Sequence, residues 1–107
     1  MLGKTVRVIV DRPLGSRHPN FSDLIYNVNY GYIEGIIAPD GEEQDAYILG
    51  IDKPVSEYTG KIIAIVHRLD DVEDKWVVVP KDKSYTKEEI REQIEFQEKF
   101  FQYEIIM

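Results

Sequence analysis

The stretch Asn29-Tyr30-Gly31-Tyr32-Ile33-Glu34-Gly35-Ile36-Ile37-Ala38-Pro39-Asp40-Gly41-Glu42-Glu43-Gln44-Asp45-Ala46-Tyr47-Ile48-Leu49-Gly50 reads as two strands around a turn. Tyr30 to Ile37 is aromatic and β-branched, and Gly31 and Gly35 inside it mark bulges or a tight barrel bend. From Ala38 to Glu43 a proline is followed by Asp-Gly, which signals a turn, and Asp45 to Gly50 resumes as a strand. Working outward, Thr5 to Val10 alternates with Val6, Val8 and Val10 on one face. The prolines, glycine and asparagine between Arg12 and Asn20 make that segment a loop. Lys61 to Val66 and Lys75 to Val79 supply two more strands, separated by an acidic turn from Leu69 to Asp74. Five short strands favour a closed or nearly closed β-barrel, because closure removes exposed edges. At Thr86-Lys87-Glu88-Glu89 a capping box starts a helix, with Ile90, Ile94 and Phe101 on one face and Glu95 and Lys99 as an i,i+4 pair. The predicted fold class is α+β and mainly β: one domain over residues 1–107, an OB-like five-stranded barrel with a C-terminal helix packed on it.

With 107 residues, the chain suits a single core. It has no cysteine, so no disulfide supports it and a reducing cytoplasm is the expected location. The N-terminal apolar run is short and interrupted by Arg7, unlike a secretion signal, and no apolar stretch reaches membrane-spanning length. Thirteen basic against 20 acidic residues, a net charge of −7, argue against a nucleic-acid partner, whose phosphates need lysine and arginine. An anionic substrate would need cations as intermediaries.

Two acidic clusters stand out. Asp40, Glu42 and Asp45 span the central turn, and their oxygens suit a hard cation such as Mg2+; spacing alone favours an ordinary solvated Asp-Gly turn. Asp70, Asp71, Glu73 and Asp74 repel one another unless cations screen them, and Arg68 and Lys75 beside them are candidate anion binders. Together the clusters point to a site of several metal ions for a phosphorylated substrate. His18 and His67 have no zinc spacing; His67 reads as a packed or partly exposed barrel residue, and His18 beside Arg17 as a phosphate contact. No nucleophile elbow, Walker loop or dinucleotide fingerprint occurs.

Asn29-Tyr30-Gly31-Tyr32-Ile33 followed by Asp40-Gly41-Glu42-Glu43-Gln44-Asp45 resembles the central signature of soluble family I inorganic pyrophosphatases. Asp11, Pro13, Gly15, Ser16 and Arg17 are similar to that family's entry strand and loop, and Glu73-Asp74-Lys75-Trp76-Val77-Val78-Val79-Pro80 to its second acidic stretch. The resemblance implies a five-stranded barrel with a C-terminal helix, and hydrolysis of pyrophosphate to two phosphates with several Mg2+ ions. It implies Asp40 and Asp45 as metal ligands, and Glu42 at the position that helps deprotonate the attacking water. Asp70 or Asp71 joins Glu73 in holding further ions, and Asp11 takes the outer acidic position. Tyr30 and Lys75 would contact phosphate, and assembly into a homo-oligomer is expected, with Phe96, Phe100 and Tyr103 either at that interface or in the core.

Three departures accompany the likeness. Glu42 and Glu73 replace aspartates, and a misplacement of about 1 Å can cost on the order of a hundredfold in rate. The family's substrate-binding hairpin is deleted between Asn20 and Tyr26, leaving Arg17 and His18 to compensate. Phe101-Gln102 stands where the family presents a Tyr-Lys pair. Beside the enzyme, two alternatives remain: a non-catalytic metal- or phosphate-binding or interaction domain on the same barrel, and a purely structural barrel with solvated turns.

Overall fold

The computed structural model describes residues 2–71 and 73–107. Among them the elements are β1 (Thr5–Arg12), β2 (Asn29–Ile37), β3 (Glu43–Ile48), β4 (Glu57–Arg68), β5 (Asp74–Val79), α1 (Lys87–Glu98) and β6 (Tyr103–Ile106). The hydrogen-bonded order is β1-β2-β3-β5-β4, and β1 returns to β4 to close a five-stranded mixed barrel. The β3–β5 pair is parallel and the others are antiparallel. The expected barrel and helix are therefore present.

Two glycines permit the hairpin at its centre. A methyl group on Gly31 would run into the Ile9 carbonyl oxygen of β1, so only glycine lets these strands approach. Gly35 has φ +86 and lies within the register shift between Ile33 and Ile37, a bulge that L side chains resist.

Two apolar clusters use opposite faces of the same strands. Val6, Val8, Ile33, Ala46, Ile48, Ile62, Trp76 and Val78 fill one, the barrel interior. Tyr47, Leu49, Ala64, Val66, Val77 and Val79 form the other with Ile90, Ile94 and Ile105. Thus β3 and β5 are buried on both faces, as their continuous apolar runs require.

Four details differ from the sequence expectation. β4 begins at Glu57 rather than near Lys61, and the added residues pair with β1. α1 ends at Glu98. Phe101 lies beyond the helix instead of on its apolar face, and residues 103–106 form β6 along the end of β4. The Glu95 carboxylate accepts the Tyr103 hydroxyl at 2.7 Å rather than pairing with Lys99. Of the three C-terminal aromatics, Phe96 and Tyr103 pack on the core and Phe100 is exposed. The capping box at Thr86 and Glu89 is present in both directions.

The end of α1 is anchored by charge. Glu98 is fully buried and receives Arg68 through Nε at 2.9 Å and Nη2 at 2.8 Å, while the Tyr47 hydroxyl donates to it at 2.6 Å. On the neighbouring strand pair, His67 stands opposite Asp74 in register, with Nδ1 2.7 Å from its carboxylate.

Replacing Glu98 by Ala strands the buried Arg68 charge and should lower stability by about 3–5 kcal/mol in urea unfolding. The exposed Glu92→Ala change should stay within about 0.5 kcal/mol. Hydrogen bonding to Asp74 raises the His67 imidazole above its ordinary value. The pair therefore stabilises the fold fully below about pH 6.5, and that contribution is lost as pH rises through the folded His67 pKa. An NMR titration should show His67 above the ordinary value and Asp74→Asn returning it downward.

Candidate functional site

Strand order gathers charge on the outer side of the barrel that faces α1, the face shared by Tyr30, Tyr47 and Val77. Asp45 is the third residue of β3, Lys75 the second of β5 and Glu73 immediately precedes that strand, so the parallel β3–β5 pairing sets these side chains together. The Lys75 Nζ is 2.6 Å from the Asp45 carboxylate and 3.0 Å from that of Glu73. Tyr30 completes this floor, its ring 5.7 Å from the ammonium. Burial, followed by the Asp45 charge and hydrogen bond, holds the Tyr30 hydroxyl well above the usual phenol range. Lys75 is itself 4% exposed, so its charge acts inside the cleft rather than in bulk water.

Above this floor lies a cleft of about 940 Å³. Of the residues singled out in the sequence, Tyr30, Asp45, Glu73, Lys75, His18 and Arg68 line it. Asp40 and Glu42 do not: the Asp40 carboxylate accepts the Glu42 amide N–H at 3.0 Å, and both remain in the exposed turn. Asp70 accepts the Gln102 amide N–H, and the Asp71 carboxylate lies 3.8 Å from Arg68. Arg17 is exposed and donates to the Ser22 carbonyl. Asp11 sits at the β1 bulge; desolvation raises its carboxyl, with Asp45 adding to the effect and Arg12 opposing it. Arg68 lines the cleft but is committed to Glu98 and Glu73, with the Phe101 ring 3.7 Å from its guanidinium.

Two features were not legible beforehand. Residues 15–26 fold back as a short hairpin, with Gly15 N–H bonded to the Tyr26 carbonyl, Tyr26 N–H to that of Ser16 and His18 N–H to that of Leu24. The segment in which the sequence reading places a deletion, Asn20 to Tyr26, thus belongs to a short hairpin, and its tip, Asn20 to Leu24, forms a wall of the cleft. His18 lies on this arm, and burial and the nearby Arg12 lower its imidazole pKa.

Arg12 is the other feature. It lines the cleft, donates to the Tyr26 hydroxyl at 2.9 Å and lies 5.9 and 5.8 Å from the Tyr26 and Tyr30 ring centroids. Tyr26 donates to Gln97 at 2.7 Å, and Gln97 donates to Tyr47 at 2.6 Å. Its signal in the sequence was a lone cation next to a proline, indistinguishable from a loop residue.

The resemblance implies several Mg2+ ions at this site. Among the described residues no three histidine, aspartate or glutamate side chains are grouped to hold an ion. Asp45 and Glu73 do flank a single point, now taken by the Lys75 ammonium. Two carboxylates would suit a single divalent ion, and they do not amount to a site for several ions held by protein alone.

No protein-family profile and no curated protein matches the sequence. Solved structures do match the fold. An inorganic pyrophosphatase from Ehrlichia chaffeensis aligns with TM-score 0.72 at 16% identity, over 97% of this chain and 85% of that one. That from Coxiella burnetii aligns with TM-score 0.70 at 16% identity, over 98% and 85%. That from Neisseria gonorrhoeae gives 0.68 at 19%, over 88% and 72%. The chain therefore has a pyrophosphatase-like fold.

Proposed function

We propose that the protein is a divalent-metal-dependent phosphoanhydride hydrolase, with inorganic pyrophosphate as its simplest substrate. One observation carries the reading: Asp45, Glu73, Lys75 and Tyr30, drawn from three strands, converge on the floor of a cleft in a pyrophosphatase-like fold. Pyrophosphate is compact and highly anionic, so it must be met by fixed positive charge. Lys75, nearly buried, holds a phosphoryl oxygen once it turns from its carboxylates. Tyr30, protonated at all working pH values, donates to the same group. Asp45 and Glu73 would hold Mg2+, which supplies charge neutralisation and a lowered pKa for its water. Asp45 also keeps Lys75 and Tyr30 oriented, so it is both ligand and positioning group.

Asp40, Glu42, Asp70, Asp71 and Asp11 are proposed as outer acidic positions that engage on substrate and metal binding. The absence of cysteine supports a cytoplasmic setting, and the family resemblance supports self-association into a homo-oligomer. A second reading, phosphate binding without turnover, is favoured by one observation: Lys75 already occupies the point between the two floor carboxylates as the ion-pair partner of both.

Purified protein should release phosphate from pyrophosphate in millimolar Mg2+ and stop when the metal is chelated. Asp45→Asn should lose at least about a hundredfold in rate. Calorimetric binding of pyrophosphate with no release by the parent protein would replace the enzyme with the binding domain.

A further inference from the structure

The cleft has two chemically different parts, and hydrolysis of pyrophosphate uses only the floor. Its mouth carries His18, Phe21, Leu24 and Phe100, from the short hairpin and from the segment after α1. Phe21 and Phe100 are each 66% exposed; among the described residues they are the exposed large aromatics, and both line this cleft. His18 lies 5.1 Å from Phe21 and stacks at 6.3 Å, nearly parallel, on Tyr26. Flat faces thus extend from the mouth to the buried tyrosines.

Positive charge stands among these rings. Arg12 reaches the cleft between Tyr26 and Tyr30, where it donates to the neutral Tyr26 hydroxyl, with Asp11 as its neighbouring negative charge. The Lys99 ammonium is 5.4 Å from the Phe100 ring. An occupant of the mouth must therefore bring negative charge and a flat apolar face together, which inorganic pyrophosphate does not. The space agrees: about 940 Å³ lies near the top of the range for drug-sized ligands, and bare pyrophosphate fills a small part of it.

We propose that the mouth is a subsite for an aromatic ring joined to the phosphoanhydride, so that the preferred ligand is a nucleoside polyphosphate. This rests on the phosphoanhydride reading of the floor and names its substrate class. The ring lies against Phe21 and Phe100, Arg12 meets the phosphate nearer the ring, and Lys75 meets the distal one. Stacking on side-chain rings tolerates any base, because every base has a π-face.

Titration calorimetry on the full chain tests this with two non-hydrolysable probes, methylenediphosphonate and the α,β-methylene analogue of adenosine diphosphate. The nucleotide should bind at least about fivefold tighter. Changing both Phe21 and Phe100 to Ala should abolish that difference and leave methylenediphosphonate binding unchanged, with an unaltered urea midpoint because both rings are exposed. Arg12→Gln should weaken the nucleotide, and Arg12→Lys should restore part of its binding. Equal affinity for the two probes overturns the subsite and leaves the phosphoanhydride reading standing; binding of neither removes both. Light scattering on the double variant covers the remaining occupant: dissociation of an oligomer with nucleotide affinity intact would assign the rings to a second copy of the chain.

Discussion

The buried pair of Arg68 and Glu98 is the constraint on which the rest of the molecule depends. Glu98 has no exposed surface, and an unpaired carboxylate there would cost several kcal/mol, so the end of α1 has one acceptable seat: against the end of β4, where the Arg68 fork meets it. The same guanidinium is covered by Phe101, which turns the chain after the helix back toward β6. Hydrogen bonds continue from Glu98 to Tyr47, from Tyr47 to Gln97, and through Tyr26 to Arg12. A single polar chain thus joins the two arginines that line the cleft, and among the described residues no buried side-chain nitrogen or oxygen lacks a partner.

The floor of the cleft depends on topology rather than on that chain. A parallel pair requires a long crossover, and here β4 makes it: β3 ends, the chain passes through β4, and β5 returns beside β3 in the same direction. Parallel alignment brings the starts of β3 and β5 together, hence Asp45 beside Lys75 and Glu73. Two negative charges around one ammonium leave the floor net acidic.

Local chemistry made much of this legible. The Asp-Gly turn, the alternation of Val6 and Val8, the continuous run in β5 and the capping box each carry their structure in a few neighbouring residues. The family resemblance grouped Tyr30, Asp40, Asp45 and Lys75, of which Tyr30, Asp45 and Lys75 line one cleft and Asp40 does not. What escaped were features with no local signature. Gln97 and Glu98 look like ordinary polar helix residues, and only the contact with Arg68 and Tyr47 makes them buried. β6 is four residues long, and its pairing is created by β4 rather than by its own propensity. The hairpin over residues 15–26 is too short and too rich in turn formers to read as strands.

The sequence by itself determined the barrel, its helix and the inventory of acidic, basic and aromatic side chains, because period, turn residues and caps act within a few positions along the chain. Tertiary structure decided which of the many charges face one another. Asp40 and Glu42 stay on the surface turn, while Asp45, a few residues on, meets Lys75 thirty positions away. Arg68, one of two evident anion binders, is spent on a buried glutamate, while Arg12 turns into the cleft between two tyrosines. The physical reason is that Coulomb and hydrogen-bond energies depend on distance and burial, both set by strand order and by the closing of β1 on β4, and neither is written in the spacing of residues along the chain.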